Sequence, residues 1–266
     1  MEKKTVRALF FDVDGTLVGY QHHRIDPREI ESIRALREKG YKLFIATGRD
    51  IHARLEALVI EPLLGYMDGF ISSNGQNCFL ADGTEISSHP LDESDFVPLR
   101  KCCEANHIAM LYYLGPDSYV TEITDHVLAF EKHIGINIPP VRPMDPELRS
   151  ISRLCVYASP EDEARLLKPL MNHTLTARNS DHLIDLIPKG VGKDSGIREV
   201  CAWLKIPRKE TMAFGDGEND ISMMHEAGIS VAMGNADERV KAAADYVTGT
   251  SEEAGITQAL KHFGLI

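Results

Sequence analysis

The sequence alternates strand-like and helix-like segments near its N-terminus. Two apolar runs, residues 6–11 and 41–46, are separated by residues 27–39, whose apolar positions recur with helical spacing. Asp26 suits the cap of such a helix, and Pro27 suits its first position. Strands that are joined by a helix run parallel in one sheet. This end of the chain is therefore expected to build a parallel sheet.

The same alternation returns near the C-terminus, whereas the middle of the chain differs. The C-terminal pattern predicts helices at 195–204, from 220 onward and at 252–262, with strands at 211–214 and 229–232. In the middle, Asp82-Gly83 predicts a tight hairpin turn. The pattern after it predicts strands at 108–114, 118–123, 151–158, 174–177 and 182–187, and helices at 96–105, 126–133 and 161–171.

These patterns predict an α/β fold with two domains. The core is expected to be a Rossmann-like, doubly wound parallel sheet, into which a second α+β domain is inserted. Residues 1–83 and 188–266 are assigned to the core, and residues 84–187 to the inserted domain.

Charge and composition limit the partners and the compartment. The 266 residues include 40 acidic and 29 Lys or Arg side chains, which gives a formal net charge of −11. Such a surface disfavours nucleic acid and anionic membranes. The longest apolar run, 108–114, is far shorter than the about 18 residues that a membrane span needs. Five cysteines without a C-x-x-C motif indicate a reducing, cytoplasmic location.

Two acidic residues follow the first predicted strand. Asp12 and Asp14 flank Val13, so an extended backbone directs both carboxylates to one side. Carboxylates this close repel each other unless a cation lies between them. An ordinary Asp-Gly turn is the alternative explanation for this short segment.

Further polar residues occur at the other predicted strand ends. Asp216 lies in the Gly215–Asp220 segment, where a third carboxylate makes an oxygen site suited to Mg²⁺. Thr47 and Gly48 follow the second strand, where a hydroxyl and a backbone N–H can hold an anion. Lys193 opens a predicted helix and can neutralise a phosphoryl group, but a solvated helix start is the simpler explanation of a single lysine.

Taken in order, these segments resemble the four motifs of the haloacid dehalogenase superfamily. The segments are Asp12-x-Asp14-Gly-Thr, Thr47-Gly-Arg, Lys193 and Gly215-Asp216-x-x-x-Asp220. Ser73-Asn74-Gly75 and residues 231–248 are similar to the Cof-like branch, many of whose members are sugar-phosphate phosphatases. One departure is Asp194, where relatives often have glycine after the lysine.

The resemblance implies a role for each motif residue. Asp12 is the expected nucleophile, which forms an aspartyl-phosphate, and Asp14 is the expected general acid and base. The carboxylates of Asp12 and Asp216 and the backbone carbonyl of Asp14 are expected to hold Mg²⁺. The residues expected around the phosphoryl group, with Asp220 supporting them from behind, are Thr47, Gly48, Lys193 and Asn219.

The position of the insertion separates two activities in this superfamily. Thirty residues lie between Thr16 and Thr47, too few for a domain, whereas 143 lie between Arg49 and Lys193. An insertion after the second motif resembles the phosphatases with a large α/β cap, whereas the β-phosphoglucomutase kind has a helical cap after the first. The expected function is therefore a magnesium-dependent phosphomonoesterase.

Two alternative functions stay open, and the partner, the oligomeric state and one substrate contact are also predicted. A phosphomutase that uses the same aspartyl-phosphate and a non-enzymatic phosphoacceptor domain are the alternative functions. The expected partner is a small phosphate ester, with no nucleic acid or membrane, and the protein is expected to be a monomer or weak oligomer. Arg178, on a strand of the inserted domain, is a candidate substrate contact, with a surface ion pair as the alternative.

Overall fold

The computed structural model describes residues 5–52, 57–134, 137–178 and 180–266, without the side chains of 133 and 134. The described residues fall into two compact units. The core unit comprises those within Met1–Ile51, Leu55–Ser88 and Val191–Ile266, and the inserted unit those within His52–Arg54 and His89–Gly190.

In these described ranges the strands are, in chain order, β1 (Ala8–Phe11), β2 (Lys42–Ala46), β3 (Gly69–Ser72), β4 (Asn77–Leu80), β5 (Glu85–Ser88), β6 (Met110–Leu114), β7 (Asp117–Val120), β8 (Leu154–Val156), β9 (Thr174–Arg178), β10 (Ile184–Pro188), β11 (Thr211–Gly215), β12 (Ile229–Ala232) and β13 (Tyr246–Val247). The α-helices are α1 (Pro27–Glu38), α2 (Glu61–Leu64), α3 (Glu93–Ala105), α4 (Asp125–Ile134), α5 (Pro160–Asp162), α6 (Lys193–Leu204), α7 (Ile221–Glu226), α8 (Glu238–Ala243) and α9 (Gly255–His262).

The core unit is built on one sheet of order β13-β12-β11-β1-β2-β3-β4-β5. The six strands from β13 to β3 are parallel, and the β4–β5 hairpin adds two antiparallel strands at one edge. Alternate residues of β1 belong to different apolar clusters. Leu9 packs in a cluster with α1 and α9, and Phe10 packs in one with α6. Helices therefore cover both faces, and the predicted doubly wound parallel sheet is confirmed.

Local sequence explains the ends of the core helices. Asp26 caps α1 by accepting a hydrogen bond from the Arg28 N–H, with Pro27 at the first helical position as predicted. Helix α6 begins at Lys193, two residues before its predicted start. The position before it is Gly192, which has no capping side chain, so the Ser195 hydroxyl accepts from the Gly192 N–H instead. This arrangement places Lys193 at the very start of the helix.

The inserted unit contains an antiparallel sheet of order β7-β6-β8-β10-β9. Phe96 and Leu99 of α3 pack in a cluster with one set of its strand residues, and Val127 of α4 packs with the other set. The helix predicted at 161–171 is present as one run of helical turns, but its hydrogen bonding changes along its length. It passes from α5 into a wide turn at Glu163–Leu167 and then into a tight turn at Lys168–Leu170. Pro169 has no N–H to donate and therefore interrupts the helical ladder.

The two units divide at slightly different residues from those predicted. The predicted boundaries followed residues 83 and 187, whereas the units divide after Ser88 and Gly190. The shift has a simple cause, because β5 pairs with β4 and thereby belongs to the core sheet. In the ranges described above, no helix has the length and apolar character that a bilayer crossing requires.

Candidate active site

The predicted motif residues of the core unit meet at one edge of its parallel sheet. Asp12 follows β1, Thr47 follows β2 and Asp216 follows β11. The register aligns Phe11 with both Ile45 and Phe214, so the three strands end side by side. The carboxyl edge of such a sheet is where open α/β proteins bind ligands.

Lys193 forms the centre of a buried charge cluster. Its Nζ atom donates to Asp12 Oδ1 and to Asp220 Oδ1, both at 2.6 Å. All three side chains are buried. Burial raises the pKa of Asp12 well above its ordinary value, the charge of Asp220 raises it further, and Lys193 opposes the shift. Burial lowers the pKa of Lys193, but the two carboxylates raise it by more, so the lysine stays protonated.

A third carboxylate joins this cluster. Carboxylate oxygens of Asp12, Asp216 and Asp220 lie within 4.8 Å of one another. Burial, and then the charge of Asp220, raises the pKa of Asp216 to about 6. The raised pKa values of Asp12 and Asp216 reflect burial and repulsion between neighbouring carboxylates, and a bound cation would relieve both effects. Oxygen donors of this kind suit Mg²⁺, so the residues fit the predicted metal.

Asp220 has a supporting role in this geometry. Its Oδ2 atom accepts from the backbone N–H groups of Asp216 and Gly217, at 3.0 and 2.8 Å. Its other oxygen accepts from Lys193. The side chain therefore fixes the loop after β11 and the lysine together.

The Asp14 carboxylate lies apart from the other three acids. Arg49 Nε and Nη2 donate to its two oxygens, both at 2.7 Å, in a bidentate pair. The Asp14 side chain is 44% exposed, so solvent reaches its carboxylate. The backbone carbonyl of Asp14, the atom expected to bind metal, accepts from the Tyr20 hydroxyl at 3.3 Å.

Thr47, Gly48 and Asn219 are connected through Asn74. The Asn74 N–H donates to the Thr47 carbonyl at 2.9 Å, and the Asn74 side chain packs on Gly48. Asn219 Nδ2 donates to Asn74 Oδ1 at 3.0 Å. Asn74 thus contacts all three of the predicted phosphate-binding residues that lie outside the charge cluster.

Comparison with known proteins agrees with these motifs. A family model described as haloacid dehalogenase-like hydrolase matches residues 9–260. The chain belongs to the haloacid dehalogenase-like hydrolases. Several of its relatives and structural neighbours carry phosphatase names, so this hydrolase is an enzyme of the phosphatase kind, and the predicted Cof-like family is confirmed.

Three sequence relatives span nearly the whole hydrolase. YkrA of Bacillus subtilis (strain 168) is 30% identical over 98% of each chain. The pyridoxal phosphate phosphatase YbhA of Escherichia coli (strain K12) is 29% identical over 96% of this chain and 97% of its own. The 5-amino-6-(5-phospho-D-ribitylamino)uracil phosphatase YcsE of B. subtilis is 28% identical over 99% and 98%.

Two solved structures match the hydrolase in fold and length. BT1666 from Bacteroides thetaiotaomicron, a phosphatase of this superfamily, has a TM-score of 0.87 and 31% identity, covering 100% of this chain and 97% of its own. The subclass IIB sugar phosphatase BT4131 has a TM-score of 0.84 and 34% identity, covering 98% and 100%.

Some site residues of the hydrolase had no role assigned from sequence. Thr16 Oγ1 donates to Asp216 Oδ1 at 3.1 Å, and Asn235 Nδ2 donates to Asp216 Oδ2, also at 3.1 Å. The Tyr20 hydroxyl lies 3.3 Å from the same Oδ2 atom. Asn235 lies within a stretch used only as a family marker, and nothing in the sequence around Tyr20 indicated a site.

Arg178 lies in the inserted unit and is bound there. Its Nε and Nη2 atoms donate to Glu163 Oε2 at 3.0 and 2.6 Å, and Nη1 donates to the carbonyls of Ala158 and Ser180. Glu163 is buried. The ion pair named as the alternative for Arg178 is therefore present, and a substrate contact by this residue stays a prediction.

Proposed function

We propose that this protein is a magnesium-dependent phosphomonoesterase that hydrolyses small phosphorylated metabolites, in particular sugar phosphates, through an aspartyl-phosphate on Asp12. The observation that carries the proposal is the Asp12 carboxylate, buried at the sheet edge 2.6 Å from a protonated Lys193 and grouped with Asp216. A nucleophile beside concentrated positive charge is what phosphoryl transfer needs.

The proposed reaction has two displacements. A carboxylate oxygen of Asp12 attacks phosphorus while the bond to the ester oxygen breaks, and Asp14 gives its proton to the leaving alkoxide. A water molecule then attacks the aspartyl-phosphate and gives a proton to Asp14, and the bond between phosphorus and Asp12 breaks. Inorganic phosphate leaves, and both aspartates return to their starting states.

The surrounding residues would position the phosphoryl group. Lys193 stays protonated and offers charge to the phosphoryl oxygens, and the Thr47 hydroxyl, the Gly48 N–H and the Asn219 amide offer hydrogen bonds. The carboxylates of Asp12 and Asp216 and the Asp14 carbonyl are the groups that we propose hold Mg²⁺. When bound, the ion supplies further positive charge to the developing transition state.

The substrate class rests on the relatives. They are named for a sugar phosphate activity, a pyridoxal phosphate activity and a phosphoribitylamino-uracil activity, all of which involve small phosphate esters. We propose the same class here, and Arg178 stays a candidate substrate contact. A cytoplasmic location and a monomeric or weakly associating state remain predictions from the sequence.

A metabolite screen tests this function. We expect phosphate release from some sugar phosphates with Mg²⁺ and a loss of at least about a thousandfold in Asp12→Asn, whose amide cannot attack phosphorus. Asp117→Asn is the control, since Asp117 is exposed on the β6–β7 hairpin of the inserted unit.

³¹P NMR distinguishes the phosphatase from the two alternative functions. An isomerised sugar phosphate without free phosphate would indicate a mutase, and stable phosphorylation of Asp12 without turnover would indicate a phosphoacceptor domain.

A further inference from the structure

Tyr20 lies beside two of the proposed metal-binding groups. Its hydroxyl is 3.3 Å from the Asp14 backbone carbonyl and 3.3 Å from Asp216 Oδ2. Its ring packs on Gly15, where any side chain would collide with both Tyr20 and Asp216. The tyrosine therefore reaches both oxygens from one position.

The Tyr20 hydroxyl occupies lone pairs on two oxygen atoms that belong to the proposed metal-binding groups. Asp216 Oδ2 already accepts from Asn235 Nδ2 at 3.1 Å, so the hydroxyl takes the second of its two lone pairs. Thr16 occupies one lone pair of Asp216 Oδ1. The hydroxyl hydrogen and a cation both carry positive charge, so they compete for the same oxygens.

The hydrogen bonds from the Tyr20 hydroxyl are weak enough to be replaced by bonds to a metal ion. One hydroxyl proton is shared between two acceptors at 3.3 Å, longer than the usual 2.7–2.8 Å of such bonds. Tyr20 is 59% exposed, so its ring can turn toward solvent without opening the core. The backbone next to it is anchored independently, because the N–H of the following residue, Gln21, donates to Glu252 Oε1 at 2.8 Å. The side chain can therefore move while the loop stays in place.

We propose that Tyr20 is a gate for the metal ion. Its hydroxyl holds Asp14 and Asp216 together when the ion is absent and leaves them as the ion binds. Tyr20 thereby lowers the affinity of the site for Mg²⁺ and makes release of the ion easier. This inference rests on the proposed metal site.

Titration calorimetry with Mg²⁺ alone tests the gate. Tyr20→Phe keeps the ring and removes the hydroxyl, so we expect it to bind Mg²⁺ about three- to tenfold more tightly than the wild type, the range that one net hydrogen bond gives. Tyr41→Phe is the matched control, because Tyr41 lies just before β2, at the opposite end of the strand from the site. Its affinity is expected to equal that of the wild type.

A spectroscopic measurement supplements the calorimetry. Tyrosine emission is expected to change as Mg²⁺ is added to the wild type and Tyr41→Phe, and to stay constant in Tyr20→Phe, with far-UV circular dichroism reporting the fold of each variant. Equal or weaker binding by Tyr20→Phe would overturn the gate. A wild type that binds no Mg²⁺ would overturn the metal site itself, so the two failures are distinguishable.

Discussion

Three consecutive residues beside the site, Ser73, Asn74 and Gly75, have left-handed backbone angles, with φ of 52°, 54° and 90°. This conformation suits glycine but costs about 1–2 kcal/mol at each non-glycine residue. The strained turn places the Asn74 amide against both Gly48 and Asn219. Because the strain coincides with these contacts, we interpret Asn74 as a residue that positions the phosphate-binding groups.

Two substitutions distinguish the effect of the backbone strain at Asn74 from the effect of its side chain. Asn74→Gly removes the amide while tolerating the left-handed backbone, and Asn74→Asp keeps an acceptor for Asn219. Loss of the hydrogen bond to Asn219 is expected to lower kcat/KM of the glycine variant about three- to tenfold, mainly through KM. Steady-state kinetics should show partial rescue in Asn74→Asp. A glycine variant with wild-type kinetics would show that the amide positions nothing.

At the level of single residues, the sequence predicted the charged members of the site better than their neighbours. Asp12, Lys193 and Asp216 belong to short motifs whose chemistry is readable locally. The roles of Asn74 and Tyr20 depend on partners 145 and 196 positions away in the chain. No local pattern specifies such a partner, so these roles emerged only from the fold.

Among the helices, α1 and α9 are joined by a buried carboxylate. Glu29 accepts from the backbone N–H groups of Ile256 and Thr257, at 3.0 and 2.8 Å, and from the Thr257 hydroxyl at 2.6 Å. It thereby satisfies donors at the start of α9 that the helix itself leaves unpaired. Burial nevertheless raises the pKa of Glu29 from 4.5 to about 6, because the ionised form loses its hydration.

This shift predicts how stability depends on pH. The folded state binds the Glu29 proton more tightly than the unfolded state does. The stabilisation is therefore fully present below pH 4.5 and is lost as pH rises through about 6. A shift from 4.5 to about 6 corresponds to ~2 kcal/mol.

Denaturant unfolding across this pH range checks the prediction. Glu29→Gln cannot titrate, so the difference in unfolding free energy between the wild type and this variant should fall by ~2 kcal/mol from about pH 3.5 to about pH 7. Glu31→Gln, at an exposed position of the same helix, is the control and should follow the wild type. A pH-independent difference would contradict the assigned shift.

The helices and strands of the core were more predictable than those of the inserted unit. Buried parallel strands and capped helices have strong local signatures, and α1 begins at the predicted residue. The segment 161–171 has helical apolar spacing and is helical, but its hydrogen bonding is irregular. The apolar period predicted the helix, whereas the N–H that Pro169 lacks makes its hydrogen-bond ladder irregular.

At the scale of the whole molecule, cations can act in two ways. They can screen the net charge of −11, or they can bind directly to the acidic cluster of the site. Any salt screens the overall charge and weakens repulsion across the surface. The buried group of Asp12, Asp216 and Asp220 is shielded from that screening. It therefore requires a cation that binds directly to its oxygens.

Thermal unfolding with matched salts distinguishes these two effects. With NaCl fixed at about 150 mM, the diffuse effect is already largely saturated. Mg²⁺ at about 100 times its Kd should then add ~2.7 kcal/mol to the unfolding free energy. That is equivalent to a rise of about 5–10 °C in Tm. EDTA should reverse the rise and abolish phosphate release together.

Substitutions assign the effect to the cluster. Asp216→Asn should lose the rise in Tm, because it removes a carboxylate charge from the site, whereas Asp117→Asn removes the same formal charge from an exposed strand and should keep it. An equal rise in both variants would mean that Mg²⁺ acts on the surface charge alone. Loss confined to Asp216→Asn would mean that the locally concentrated acids, rather than the overall charge of the chain, bind the ion.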